Sequence, residues 1–287
     1  MTSATLNEYQ HVNYVHRILW LILNLFFGGF IGLVLLVWVS CDMEMPTFFF
    51  PLLSSSFLQS VFHVPWIDMK LALFHKILFN GCLFGLFGFV HTFFARDYVQ
   101  RYLITRFSFP SIGLRTFYLI LTNISAWLLM GLWQHTCIQL WDFLKDVSFA
   151  NEHRRHEILL ILFAIVNIPG ALVIIQFNLF EFFGLKQIFQ STTCPTTSRT
   201  TGMNKLVTNG IFHYCRHPMY FFLLLGYILS PCVSLDKFLF IIYAIVYLYI
   251  AIPIEEKKLE IIFGQAYMAY KNSVPSVLPN FYRKKNI

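Results

Sequence analysis

Arg216-His217-Pro218 and Glu255-Glu256 are the residues of this sequence best suited to chemistry. Arginine beside histidine sets a fixed cation next to a ring that can donate, accept or titrate. Pro218 suits the first turn of a helix, where its missing N–H costs nothing. A helix N-terminus flanked by such a pair is an anion site for carboxylate or phosphate. An arginine snorkelling to lipid phosphate is the other reading. The two adjacent acids run against expectation at the end of an apolar segment, because cytosolic flanks favour Lys and Arg and a helix C-terminus disfavours anions. A helix that continues removes the conflict: Leu259, Ile262, Phe263, Tyr267 and Tyr270 recur along one amphipathic face. Glu256 shares that face with Leu259, Phe263 and Tyr267, which predicts that it points inward. Glu255 falls on the flank, within i+3 reach of Lys258, and is expected to look to water or lipid headgroups.

The elements that must position these residues are two apolar segments, about 219–234 and 238–254, joined by the short stretch Pro231–Lys237. Such a connection predicts an antiparallel hairpin, so Arg216/His217 and Glu255/Glu256 should meet at one mouth. A buried acid–base cluster at a membrane mouth reads as a functional site; a salt bridge that only closes the hairpin is the alternative.

Composition sets the wider frame. Of 287 residues, 57% are hydrophobic and 12% charged, with a mean hydropathy of +0.63. That excludes disorder, fibrous repeats and an ordinary soluble enzyme, and predicts an all-α polytopic membrane helix bundle. Six spans are predicted near 18–39, 77–95, 112–133, 158–177, 219–234 and 238–254, with a cytosolic amphipathic helix after the last. The first run is too long for a signal-peptide core and reads as a retained span. Residues 46–65 are apolar but broken by prolines and serines, and read as a re-entrant or interfacial loop, with a seventh span as the alternative. With six spans, 15 of the 21 Lys and Arg fall on the side of the termini, which predicts both termini in the cytosol. The net charge of +7 is therefore a membrane-topology signal, and no nucleic acid is expected as partner. The lipid bilayer is the expected partner; no protein partner can be named.

The polar stretch 191–205 is expected to be a flexible cytosolic linker. It would divide an N-terminal transmembrane bundle, 1–190, from a C-terminal hairpin and tail, 206–287. The six cysteines include no close pair, so neither a disulfide framework nor a zinc site is read from them. His153 and His156 form an HxxH without a third ligand nearby, and read as polar residues of a luminal loop rather than a metal site. The sequon at Asn123 falls inside the third span and is expected to be unglycosylated.

The last quarter of the chain resembles the isoprenylcysteine carboxyl methyltransferase-like superfamily. The resemblance rests on Gly210, Ile211, Phe212, Arg216, His217, Pro218 and Tyr220, and then on Glu255, Glu256, Leu259, Phe263, Gly264, Tyr267, Tyr270, Val274, Pro275 and Pro279. Upstream, Gly85–Arg96, Arg115–Tyr118 and Glu181–Gln187 resemble motifs of the methanethiol S-methyltransferase and nurim branch. The tail leans toward the enzymes, and Lys186 in the third motif leans toward nurims, multi-pass proteins of the inner nuclear membrane without assigned catalysis. Phe222 stands where the enzymes often carry glycine, which would narrow a cofactor pocket.

The resemblance implies S-adenosylmethionine as cofactor and a small thiol or apolar methyl acceptor. It implies that Arg216 and His217 take the cofactor's carboxylate and that Glu255 or Glu256 takes its ammonium or ribose hydroxyls. Tyr220, Tyr267 and Tyr270 would offer aromatic faces to the adenine or sulfonium. His217 is the expected catalytic residue, with His91 or solvent as other routes for a thiol proton. An endoplasmic reticulum or inner nuclear membrane location is implied.

Overall fold

The computed structural model describes residues 14–24, 26, 32–43, 65–108, 113–145, 152–176 and 206–281. Residues 46–64, the Glu181–Gln187 motif and the 191–205 linker lie outside them. The chain is mostly helical, in the order α1 (Tyr14–Asn24), α2 (Gly32–Ser40), α3 (Leu73–Phe94), α4 (Asp97–Phe107), α5 (Leu114–Leu132), β1 (Gln139–Asp142) and α6 (Glu152–Gln176). A 3-10 turn (Gly210–His213) then precedes α7 (Pro218–Ile228), β2 (Cys232–Ser234), α8 (Leu235–Phe263) and α9 (Gln265–Ser273).

Among the described residues, α3 and α8 are long and apolar enough to cross a membrane. Several expected boundaries shift. The fifth apolar segment is helical only to Ile228, and its 11 residues rise about 16 Å, short of the roughly 30 Å of a hydrocarbon core. The expected loop after it contains β2, which pairs antiparallel with β1 through Trp141↔Val233 and Asp142↔Cys232. The chain is thus not purely helical: alternation too short to register in the sequence forms a two-stranded patch. α6 starts at Glu152, so the HxxH lies on a helix, and His156 is 2% exposed rather than a surface loop residue. α4 is a helix where only a basic loop was anticipated; it exposes Tyr98, Tyr102 and Phe107.

Two compact units divide the chain out of sequence order. One contains residues 1–36, 63–134 and 177–202. Here α3 packs on α5. The buried Asn80 amide both donates to the Gln134 carbonyl and accepts from its N–H, each at 2.9 Å, satisfying backbone groups just past the end of α5. His91 on α3 pairs with the Tyr118 hydroxyl on α5 at 2.8 Å.

The other unit contains residues 37–62, 135–176 and 203–287, so α6 packs with the C-terminal elements. α6 and α7 make its most extensive helix contact. Its far end is polar and closely bonded. Asp236 accepts the Thr136 N–H and hydroxyl, and Asp42 accepts the Ser234 N–H and hydroxyl. Arg155 pairs with Asp142 at 2.6 Å, and the Cys232 thiol donates to the same carboxylate. The buried Lys237 ammonium donates to the Ser40 carbonyl and the Ser230 hydroxyl. Ser234 caps α8 by accepting the Lys237 N–H.

Candidate functional site

α8 does not end at the two acids. It is 29 residues long, rising about 43 Å, and carries Glu255 and Glu256 into its last third. The helix continues as anticipated, but only to Phe263; Gly264 breaks it and α9 starts afresh at Gln265. Gly264 has φ 54° and ψ −130°, a conformation nearly closed to residues with a Cβ. An alanine Cβ there would meet nothing within 4 Å, so its whole cost is conformational. Gly264→Ala is expected to destabilise by about 1–3 kcal/mol, measured by thermal unfolding in detergent, because α9 loses its entry angle.

α9 folds back and delivers the tail to the Arg216-His217 pair. The Arg216 N–H donates to the Pro275 carbonyl and the His217 N–H to the Ser276 carbonyl, both at 2.9 Å. The Arg216 guanidinium donates through Nε to Glu256 Oε1 at 2.7 Å and through one terminal nitrogen to the carbonyls of Lys271, at 2.9 Å, and Val274. These bonds give the Val-Pro tail its physical role: it presents carbonyls to the arginine. The Tyr270 hydroxyl donates to the Phe212 carbonyl at 2.7 Å, tying α9 to the 3-10 turn.

The residues expected to converge do so. His217 Nε2 lies 3.2 Å from Glu256 Oε1, and Nδ1 lies 3.9 Å from Glu255 Oε2. The Tyr220 hydroxyl donates to Glu255 Oε1 at 2.8 Å, and its ring stacks on His217 with centroids 5.6 Å apart. The Glu256 side chain is 4% exposed and that of Glu255 44%, so Glu256 is the inward acid. Glu255 does not simply look to solvent, however: His217 and Tyr220, one helical turn apart on α7, both reach it. Tyr267 is 1% exposed and Tyr270 8%, so both are packed into the fold rather than open at the mouth. The Tyr267 hydroxyl is buried beside the Arg216 guanidinium, and burial pushes its pKa up.

Phe222 does not narrow this mouth. It faces α6, where its Cβ lies 3.1 Å from where a Cβ on Gly170 would stand. Burial pushes the neighbouring Cys215 thiol up to about 11, so it is no thiolate.

One participant was not anticipated. The Lys271 ammonium lies 2.7 Å from Glu260 Oε1 and 3.2 Å from Glu256 Oε2, and these two carboxylates raise its pKa, Glu260 the more. Lys271 counts in the sequence only as one more cytosolic charge; its place one turn beyond Tyr267 was the available signal. The mouth therefore combines a clamped arginine, a histidine–tyrosine stack and two carboxylates of unequal burial, with an ammonium shared at its edge. Such an arrangement has the charges to hold a small zwitterion or cation.

A cavity of about 230 Å³ lies elsewhere in this unit, lined by Leu159, Phe163, Gly226, Leu229 and Ser230 among others. It adjoins the last turn of α7, about 15 Å of helix from His217, too far to serve chemistry at the mouth.

Residues 162–266 match the profile of the phospholipid methyltransferase family. A methanethiol S-methyltransferase from Crocosphaera subtropica is 25% identical over 239 residues, covering 80% of this chain and 86% of that protein. One from Mycobacterium tuberculosis is 26% identical over 206 residues, covering 71% and 78%. One from Pseudomonas deceptionensis is 26% identical over 213 residues, covering 72% and 74%. No solved structure matches. Two helices of membrane length among the described residues, together with the similarity to these proteins, support a membrane methyltransferase. More narrowly, the matched region and the relatives agree with the isoprenylcysteine carboxyl methyltransferase-like superfamily that the motifs resemble.

Proposed function

We propose that the chain is an integral membrane methyltransferase that uses S-adenosylmethionine to methylate a thiol or another small apolar acceptor. The observation that carries this is the meeting of His217 with both Glu255 and Glu256, at the positions where the family motifs fall. The donor set fits the cofactor's head group: Glu256 Oε2 already holds an ammonium, that of Lys271, so an amino group is the right chemistry for it.

When bound, S-adenosylmethionine supplies an electrophilic methyl on a sulfonium. A thiol acceptor would have to give up its proton as it took that methyl. Glu256 is assigned the cofactor's ammonium and Glu255 a ribose hydroxyl or the same ammonium. His217 is assigned the carboxylate and is the nearest ring to receive a proton. Arg216 acts differently from its first assignment: with Nε and a terminal nitrogen bonded inward, it positions Glu256 and the tail. The stacked His217 and Tyr220 rings form an aromatic edge where cation–π attraction contributes about 0.5–2 kcal/mol. Most of the rate enhancement would come from alignment and exclusion of water.

Six spans with both termini cytosolic, in the endoplasmic reticulum or inner nuclear membrane, complete the proposal. Terminal tags should be protease-sensitive in sealed microsomes, and a tag at residue 150 protected; equal accessibility of all three refutes the topology. Fluorescence at the plasma membrane or mitochondria refutes the location. The central test is binding of radiolabelled S-adenosylmethionine to the purified protein in detergent. Saturable binding is expected; its absence would favour a nurim-like membrane protein that keeps the hairpin without catalysis.

A further inference from the structure

We propose that Lys271 is an internal stand-in for the cofactor's ammonium, capping Glu256 until S-adenosylmethionine arrives and then moving wholly onto Glu260. The inference rests on the function proposed above and concerns how that same site is opened. The two oxygens of Glu256 are differently occupied. Oε1 takes Arg216 Nε at 2.7 Å and His217 Nε2 at 3.2 Å, and its side chain is 4% exposed, so it is held in place. Oε2 has Lys271 Nζ as its partner at 3.2 Å. It is therefore the oxygen at which an incoming ammonium must compete.

Lys271 is built to give way. Its side chain is 34% exposed, and its closer contact is with Glu260, at 2.7 Å. Its backbone is fixed, because Arg216 holds its carbonyl at 2.9 Å, so only the side chain need swing. Glu260 follows Glu256 by one helical turn, so the ammonium moves between neighbouring carboxylates on one helix face. Every charge keeps a partner throughout. Before binding, Lys271 is shared between two acids. Afterwards each acid has one ammonium, and none is left unpaired in a partly buried place, where an isolated charge is costly. Direct binding of the cofactor's carboxylate by Lys271 is the rival arrangement, and it predicts the opposite response to losing the cation.

The test is equilibrium binding of S-adenosylmethionine to the full-length protein in detergent, with 5′-methylthioadenosine, which lacks the amino-acid head, as a second ligand. Lys271→Gln should bind S-adenosylmethionine about fivefold more tightly, the scale of one partly exposed ion pair. Glu260→Gln, which removes the resting place, should bind it about fivefold more weakly. The double variant should behave as Lys271→Gln alone. None of the three should change affinity for 5′-methylthioadenosine. Lys271→Met repeats the first measurement with an apolar side chain of similar length, and thermal unfolding shows that each variant is folded. Weaker or unchanged binding in both folded Lys271 variants overturns the plug, and leaves the proposed function standing if wild type binds. Binding by Lys271→Gln where wild type shows none supports the plug strongly. Binding by neither overturns both the plug and the function on which it rests.

Discussion

Glu256→Gln should lower S-adenosylmethionine affinity by at least about 100-fold and lower stability as well, whereas Glu255→Gln should be milder on both counts. The binding loss follows from removing the one nearly buried carboxylate at the mouth, since truncating a desolvated charge partner costs about 2–5 kcal/mol. The stability loss follows from what Glu256 holds in place. Glu256 is the shared counter-ion of Arg216 and Lys271, and the Arg216 side chain is only 10% exposed. Neutralising the acid leaves a guanidinium beside an amide. The amide oxygen still accepts from Nε, so the cost should fall to about 2–3 kcal/mol, below that of removing a buried partner outright. Glu255 is 44% exposed and its bond from Tyr220 survives an amide, so its variant keeps the fold and loses part of the binding. Isothermal calorimetry and thermal unfolding on the same preparations separate the two effects. Equal affinities for wild type and Glu256→Gln would remove this acid from the cofactor site.

The meeting of Arg216 and His217 with Glu255 and Glu256 was legible in the sequence because it depends on few features. Two apolar segments with a short connection must return, and acids placed against the helix dipole call for partners. Pro218 marked the start of α7 correctly. What the linear pattern could not give was the path of the tail. One amphipathic face from Leu259 to Tyr270 predicts one helix, but Gly264 turns the chain by backbone conformation, which hydrophobic periodicity does not record. That turn sends Tyr270 to the Phe212 carbonyl and brings Lys271 to the two acids. Likewise a free-looking arginine became a clamp because its acceptors are main-chain carbonyls of residues 271 and 274, which have no signature in side-chain spacing. The β1–β2 pairing was missed for the same kind of reason: two strands of 4 and 3 residues are below the length at which alternation can be read.

Replacing Gly226 by leucine should disrupt the same site from a distance, whereas alanine should cost little. Gly226 lies where α7 crosses α6, and a Cβ there would meet the Asn167 amide nitrogen, with the Phe163 ring atoms next at 3.0 and 3.1 Å. Asn167 can swing aside by giving up its 2.9 Å bond to the Phe163 carbonyl, a loss of about 1 kcal/mol. Alanine returns about as much in helix propensity over glycine, and the Phe163 ring need give by only a few tenths of an ångström, so Gly226→Ala comes out at a small net loss. Leucine adds three more carbons, and the cavity that Gly226 lines can take them only if the Phe163 ring beside it also shifts. Phe163 is stacked on Tyr227 at 5.2 Å, and Tyr227 is 3% exposed and packs edge-on against Phe240 of α8. Making room would mean moving that aromatic stack or the helix itself, and overpacking of this kind costs about 1–3 kcal/mol or more. The yielding element should be α7, the shortest of the three helices in the contact. Its first turn carries Pro218 and Tyr220, with His217 as its cap, so a shift of α7 also moves His217 away from Glu256. Gly226→Leu should thus lose stability and S-adenosylmethionine binding together, and Asn167→Ala should restore part of both by vacating the space the leucine needs. In Glu256→Gln both losses arise at the carboxylate itself, so Asn167→Ala should restore neither. A Gly226→Leu protein that melts and binds as wild type would show that α6 does not fix the position of α7, and hence that the mouth is aligned by the α8–α9 tail alone.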